Sequence, residues 1–460
     1  MKIKGKKFLV VGLGKTGVSA TRFILAQGGK VTITDSRTRM ELAESIKLLG
    51  DLKVEMDLGK HNPKLFTQND VIVLSPGVPG NIEGLSEARA AGIPIVNDIE
   101  IATHFIKAPI IAVTGTNGKT TTTTLIGEML RNEGKKVFVG GNIGVSALDM
   151  LINGETPDAV VLEVSSFQLE SMENFKPSIV VLTNLEPDHL DRYPTGVESY
   201  YAAKQRILKN ADKSTTLILN LDNERSLQWA EQFPGKVLHF TKRDPMTISP
   251  QLAEKFKGAY LRRPKVVLKG FEKGNGEEII EMILCKLPGD HNRENVMAAA
   301  LAARAFGATK TSIQKTIDFF KGVPHRLEFL RKKDNVAFYN DSKATNVASV
   351  LRSLSSFNAP VILIMGGRDK DQDFTPLMEL VKKRVKNLIL VGEAKEKINR
   401  ILGDFSETFL VGTFEEAVLI GFQKSRNGDI VLLAPGCASY DMFRNYEERG
   451  DYFKKMVSQL

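Results

Sequence analysis

Short apolar runs alternate with longer stretches in which apolar residues recur every three or four positions, and this rhythm persists along nearly the whole chain. Such an alternation predicts parallel strands joined by crossover helices, an α/β architecture. In residues 1–98 the strand-like "KKFLVVG" leads into a helix from Thr16 to Gln27, then to strands at "KVTITD", "DVIVLSPG" and "IPIVND". A second series starts at "PIIAVTG" and continues through "DAVVLEV", "SIVVLTN" and "TTLILN". It closes in a small β-rich piece, "KVVLKGFEKGNGEEIIEMILCKLPG", whose two strand-like runs flank a Gly-Asn-Gly turn. An alanine-rich helix at "HNRENVMAAALAARAFG" precedes a third series at "VAFYND", "PVILIMGG", "NLILVG", "TFLVG" and "DIVLLAPG". These restarts predict three α/β domains, 1–98, 99–322 and 323–460.

Composition narrows the class. A chain of 460 residues is too long for one core and suits about three domains. With 42% apolar and 25% charged residues it has the balance of a soluble globular protein. No apolar run approaches a membrane span. The basic start "MKIKGKKFLVVGLGKTG" resembles a leader, but glycines break its apolar run within a few residues, so it reads as a first strand. Cys285 and Cys437 show neither metal-ligand spacing nor a disulfide framework, and the expected location is cytoplasmic. The net charge of +9 is spread along the chain, which fits small anionic substrates and no particular partner equally well, and the lack of a long basic run or an aromatic-studded basic stretch argues against nucleic acid.

The candidate chemistry sits directly after strands. Gly12, Gly14 and Gly17 form GxGxxG between a strand and a helix, with Asp35 ending the next strand. That pattern lets an anion approach a helix N-terminus and fits a dinucleotide, or merely a tight turn in a doubly wound sheet. "TGTNGKTT", residues 114–121, departs from GxxxxGK(S/T) only in having Val113 where the first glycine belongs. Gly115 and Gly118 supply backbone freedom, Lys119 can reach outer phosphates, and the Thr120 hydroxyl can ligate Mg²⁺. Glu163 ends the apolar strand "DAVVLE", where a carboxylate either faces the phosphate loop or simply closes a strand. His189 stands among Glu186, Asp188 and Asp191 after another strand. In the helix "VESYYAAKQRILKNA", Tyr200, Tyr201, Ile207 and Leu208 mark an apolar face with Lys204 at its middle. Either the lysine stem packs while its ammonium reaches water, or the amine is desolvated for chemistry.

Taken in order, "TGTNGKT", "GGNIG", "LEVSSFQLE", "TNLEPDHLDRYP", "PGDHNRENVMAA", "PHRLE", "YNDSKATN" and "LLAPGCASYDMFRNYEERG" resemble the Mur ligase family, ATP-dependent amide ligases of bacterial cell-wall precursors. The resemblance covers essentially the whole chain, and "SSFQLE", "DSKATN" and the last stretch point to the branch that adds D-glutamate. It implies a Rossmann-like N-terminal domain, a central P-loop ATPase domain and a Rossmann-like C-terminal domain. The first domain would hold UDP rather than a dinucleotide, through Lys15, Thr16, Asp35, Ser36, Arg37, Ser75, Pro76 and Gly77. The implied chemistry is activation of a carboxylate by ATP to an acyl phosphate, followed by attack of an amine. The implied partners are UDP-N-acetylmuramoyl-L-alanine and D-glutamate, with no nucleic acid and no membrane, and a monomer is expected.

The same resemblance implies roles for individual residues. Gly115, Thr116, Asn117, Gly118, Lys119, Thr120 and Thr121 would bind ATP, with Asn142, Asn292, Asn295, Arg326 and Asp341. Two Mg²⁺ ions would be held by Thr120 and Glu163, and by His189 and a carbamylated Lys204. Ser165 and Gln168, with Asn142 and His189, would contact the sugar-nucleotide substrate. Lys343, Thr345, Lys370, Ser439, Tyr440 and Tyr446 would surround D-glutamate. Two rivals remain: a folylpolyglutamate synthase-like ligase, which resembles only the last two domains, and a nucleotide-gated binding protein that ligates nothing.

Overall fold

A computed structural model describes residues 1–460 except 189–191, 194, 195, 272–275, 370 and 371. The chain forms two compact units, Met1–Glu281 with Glu294–Thr316, and Met282–Arg293 with Ile317–Leu460. Among the described residues, the first unit contains two sheets and the second contains one. Among the described residues, no helix is long and apolar enough to cross a membrane.

The first sheet has the order β3-β2-β1-β4-β5, all parallel: β1 Lys7–Val11, β2 Lys30–Asp35, β3 Glu55–Leu58, β4 Val71–Leu74 and β5 Ile95–Val96. Strand alternation sets its layers. Phe8 and Val10 enter one core, and Leu9 and Val11 pack with Phe66, Ile72 and Leu85 in the other. The order reverses between β1 and β4, so a crevice opens outside their carboxyl ends, where "GLGKTG" and "SPG" follow. The intervening helix runs Lys15–Ala26, close to the predicted Thr16–Gln27. The strand β3, "EMDL", was hidden because two of its four residues are acidic.

The second sheet has the order β14-β13-β12-β11-β10-β9-β6-β8-β7. Its strands are β6 Ile110–Thr114, β7 Val137–Gly141, β8 Ala159–Glu163, β9 Ile179–Leu182, β10 Thr216–Asn220, β11 Lys236–Thr241, β12 Gly258–Arg262, β13 Lys265–Lys269 and β14 Glu277–Glu281. From β7 to β12 neighbours are parallel, and β12, β13 and β14 are antiparallel. The β-rich piece therefore extends the parallel sheet. Most of the turn joining β13 to β14 lies outside the described residues. β7, β11 and β12 were not anticipated: "VFVGG" carries glycines, and "KVLHFT" and "GAYLR" mix polar residues into short runs.

The sheet of the second unit has the order β15-β16-β20-β17-β18-β19, with β15 Glu328–Lys333, β16 Val336–Asn340, β17 Val361–Gly366, β18 Val385–Val391, β19 Glu407–Leu410 and β20 Ile430–Gly436. All pairs are parallel except β15 with β16. That hairpin turns at Asp334 and Asn335, both with positive φ (49° and 61°), the geometry whose twist matches paired strands. Val361, Leu363 and Met365 face one core while Ile362 and Ile364 face the other, so both faces of the sheet are covered.

Candidate active site

After β1 the chain turns at Gly12 (φ 90°) and enters the helix that begins at Lys15. A Cβ at Gly17 would lie 2.0 Å from the Gly12 carbonyl oxygen, so helix and turn meet at a distance only glycine permits. The Ser75 hydroxyl, at the end of β4, donates to that same carbonyl at 2.8 Å. Asp35, ending β2, accepts from Leu13 N–H at 2.7 Å and from the Arg37 backbone and guanidinium at 2.8–3.1 Å. Burial pushes the Asp35 carboxyl up, but these hydrogen bonds outweigh it and hold the group below the usual carboxylate range. Lys15, Ser36, Arg37 and Gly77 are exposed around this crevice, and Thr16 and Pro76 are half-buried. Gly17→Ala should destabilise the protein by about 1–3 kcal/mol through overpacking, read as a lowered midpoint in denaturant unfolding. An unchanged midpoint would show that the turn can relax.

The phosphate-loop candidate lies at the carboxyl end of β6, between β8 and β9. Strand register pairs Val113 with Glu163, which brings the carboxylate that ends β8 beside the start of the loop. Val113 itself is a fully buried strand residue, and the turn is made by Gly115 (φ 140°) and Gly118 (φ 82°). A Cβ at Gly115 would meet the Thr183 hydroxyl at 2.0 Å, and one at Gly118 would meet Asn295 Oδ1 at 2.1 Å. The missing glycine is thus unneeded, because the close approaches fall later in the loop. Segment 183–186 braces the loop: Asn117 N–H donates to Asn184 Oδ1 at 2.9 Å, and the Thr116 hydroxyl donates to the Glu186 carbonyl at 3.0 Å. Thr120 and Thr121 begin the helix Lys119–Asn132, where unpaired N–H groups favour an anion.

Two lysines converge here. Lys119 Nζ donates to the Gly115 and Thr116 carbonyls at 2.9 and 2.8 Å, and Lys204 Nζ donates to the same Gly115 carbonyl at 2.9 Å. Lys204 is 1% exposed, and its amine sits 4.6 Å from the Tyr200 ring centroid. Burial, reinforced by Lys119, pulls its pKa down to about 6, against the opposing pull of Asp188 and Glu163. The Lys204 ammonium does not reach water; the amine is desolvated among protein groups. Its helix is shorter than the apolar pattern suggests, ending at Gln205 before a 3₁₀ turn at Arg206–Leu208.

Glu163 is buried. Its Oε1 accepts from Asn142 Nδ2 at 2.9 Å, while Oε2 is buried with no hydrogen-bond partner among the described residues. A buried carboxylate oxygen left unsatisfied is costly, and an oxygen-seeking cation such as Mg²⁺ fits it. No group of three or more His, Cys, Asp or Glu gathers into a metal site among the described residues. That is compatible with Mg²⁺, which keeps several waters and takes one or two protein oxygens together with phosphate.

Ser165 and Gln168 form a capping box on the helix Ser166–Leu169, so the structure gives them a local role. His189 and Lys370 lie outside the described residues. Asn292 lies in the first turn of the helix Asp290–Phe306 and Asn295 in its second, with the Asn292 amide donating to the Pro288 carbonyl at 2.7 Å. In the second unit, Asp341 ends up buried at the end of β16, accepting from Leu327 N–H at 3.2 Å and from the Ser353 hydroxyl. Lys343 Nζ lies 5.8 Å from the Tyr446 ring centroid, and Tyr446 packs edge-on to His325. Burial, with Glu447 adding, raises the Tyr446 hydroxyl to about 12. Ser439 is buried, Tyr440 is 60% exposed, and Arg326 and Thr345 are half-buried. Sequence reasoning placed Tyr200 only as core. Its hydroxyl bonds to the Thr116 hydroxyl at 3.2 Å, and its spacing of four from Lys204 was the available signal.

A phosphate loop on a parallel sheet, with a register-paired acid and a desolvated lysine, defines an enzyme that handles nucleotide phosphates. The chain belongs to the Mur ligase family. Residues 6–97 match the Mur ligase MurD-like N-terminal domain, 113–303 the Mur ligase middle domain and 325–437 the Mur ligase glutamate ligase domain. Among similar proteins, the UDP-N-acetylmuramoylalanine–D-glutamate ligase of Bdellovibrio bacteriovorus is 47% identical, over 100% of this chain and 98% of its own. The ligase of the same name from Geotalea uraniireducens is 42% identical over 100% and 99%. The fold is shared with a UDP-N-acetylmuramate–alanine ligase from Thermotoga maritima (TM-score 0.61, 18% identity, 99% of each chain). It is shared also with a pseudomurein peptide ligase type C from Methanothermus fervidus (TM-score 0.55, 20% identity, 99% of this chain and 100% of that one).

Proposed function

We propose that this protein is an ATP-dependent, ADP-forming amide ligase that joins D-glutamate to UDP-N-acetylmuramoyl-L-alanine in peptidoglycan-precursor synthesis. The reaction is supported by the relatives named for it, which align along the whole chain. The observation that carries the chemistry is the convergence of Lys119 and Lys204 on the Gly115 carbonyl, on a sheet whose register sets Glu163 beside the loop.

In the proposed mechanism a substrate carboxylate oxygen attacks the γ-phosphorus of ATP, the bond to the β-phosphate oxygen breaks, and an acyl phosphate and ADP result. The D-glutamate amine then adds to the acyl carbon, loses a proton, and the tetrahedral intermediate expels inorganic phosphate. Both steps crowd anions together, so the work of the protein is charge neutralisation and positioning. Lys119 and the loop 115–121 hold the outer phosphates. Thr120 and Glu163 would hold one Mg²⁺, and His189 with a carbamate on Lys204 a second; the metal's contribution is to offset the phosphate charge. Asn142, Asn292, Asn295, Arg326 and Asp341 are assigned to ATP, with Asn142, His189, Ser165 and Gln168 also beside the UDP-sugar. Lys15, Thr16, Asp35, Ser36, Arg37, Ser75, Pro76 and Gly77 are assigned to UDP, and Lys343, Thr345, Lys370, Ser439, Tyr440 and Tyr446 to D-glutamate. We assign domains 1–98, 99–322 and 323–460, and a cytoplasmic monomer.

Phosphate release distinguishes this reading from a binding protein with idle ATPase activity: release should become appreciable only when UDP-sugar and D-glutamate are both present. Calorimetry should likewise show the UDP-sugar binding and NAD(H) failing to bind. Submillimolar NAD binding without UDP-sugar binding would end the ligase reading.

A further inference from the structure

Arg449 lies in the helix Tyr446–Gln459 and is 0% exposed. A buried guanidinium normally faces a carboxylate, because an unpaired buried charge is costly. Here its hydrogen bonds run to neutral oxygens: Nε to the Ser342 hydroxyl at 3.0 Å, Nη2 to the Ser342 and Cys437 carbonyls at 3.0 and 3.1 Å, and Nη1 to the Ala438 carbonyl at 3.3 Å. Burial lowers the group to about 10, so it keeps its charge at neutral pH.

The acceptors belong to loops leaving the carboxyl ends of two neighbouring strands. Ser342 follows β16, directly before Lys343, and Cys437 and Ala438 follow β20, directly before Ser439. A third loop meets the same point. Arg368 N–H, after β17, donates to the Ala438 carbonyl at 2.9 Å, and a Cβ on Gly367 would come within 3.1 Å of Arg449 Nη1. The Ser342 hydroxyl completes the knot by donating to the Tyr446 carbonyl at 2.8 Å. A planar fork spreads five fixed donors over three nitrogens and so reaches acceptors on several loops, whereas a lysine concentrates its three donors on one atom.

We propose that Arg449 is a positioning residue for the amino-acid substrate, locking the loops that carry Lys343, Thr345 and Ser439 into one constellation. This rests on the ligase reading. It assigns Arg449 no contact with substrate; it acts through the loops whose carbonyls it gathers. The geometry also explains why a cation is kept here with only the more distant Asp441 offsetting its burial: four carbonyl and hydroxyl oxygens on the two loops need one donor group with several N–H bonds.

The test measures KM separately for D-glutamate, ATP and the UDP-sugar in Arg449→Lys and Ser342→Ala, the second being a milder change that removes the Nε acceptor and the hydroxyl's bond to the Tyr446 carbonyl while leaving the three carbonyl acceptors of Arg449 in place. Arg449→Lys should raise KM for D-glutamate by about tenfold or more, leaving the other two within about twofold. Ser342→Ala should shift in the same direction by a smaller factor. A merely structural role would lower the active fraction and kcat with all three KM values unchanged. That result, parallel rises in all three, or Arg449→Lys behaving as wild type would each overturn the inference. Wild-type protein that forms no product from these substrates would overturn the ligase reading as well, which separates the two failures.

Discussion

Lys204→Ala should lose at least about a hundredfold in turnover, and a short-chain carboxylic acid added in solution should restore part of it. An ordinary lysine, near pKa ~10.4, is neutral in only about one part in a thousand at pH 7.4, too rarely to keep CO₂ bound. At a pKa of about 6 the neutral amine is instead the main form at that pH. Carbamylation joins the nitrogen lone pair to the carbon of CO₂ and releases one proton, turning a buried amine into an anionic oxygen donor suited to Mg²⁺. The position supports this: Lys204 Nζ shares the Gly115 carbonyl with Lys119, so a neutral or anionic group there relieves a crowded pair of cations. Rescue by acetate or propionate is the diagnostic part, since a packing lysine would not be replaced by a free carboxylate. Near-native turnover in Lys204→Ala, or full activity in Lys204→Arg, would return this residue to a packing role.

Glu163→Gln should reduce kcat by about a hundred- to a thousandfold while leaving thermal stability equal or higher. Oε1 accepts from the Asn142 amide, a bond that a glutamine oxygen reproduces. Oε2 is buried without a hydrogen-bond partner among the described residues, and replacing a buried ionised oxygen by a neutral amide removes part of that cost. Stability and activity should therefore move apart, the pattern of a group kept for chemistry and not for folding. A kcat within threefold of wild type would remove Glu163 from the metal site. A large fall in melting temperature would mark it as a structural acid.

The most legible strands share one property: their apolar runs are buried on both faces of a parallel sheet. "KFLVV", "AVVLE", "IVVL" and "VILIMG" read as near-continuous hydrophobic strands because helices cover both sides. β3, β12 and β15 escaped for the opposite reason. Their runs are short, mixed with charge or exposed at an edge, and pairing with a neighbour supplies what their own residues do not. The candidate loops were legible because glycine, lysine and threonine fall at fixed offsets after a strand, where local backbone geometry alone sets the chemistry.

By itself the sequence determined the α/β class, the two glycine loops, the family resemblance and the unusual place of Lys204 on an apolar helix face. Each is a matter of local periodicity or spacing, so neighbouring residues carry the information. Only the tertiary structure decided that Val113 is a strand residue paired in register with Glu163, and that Lys119 and Lys204, 85 positions apart, share one carbonyl. It also decided that Arg449 gathers loops from separate strands. These contacts depend on strand order and on which groups lose water together. Burial is a property of the packed whole, and it is burial that turns a common lysine into a neutral amine and a common arginine into a fastener.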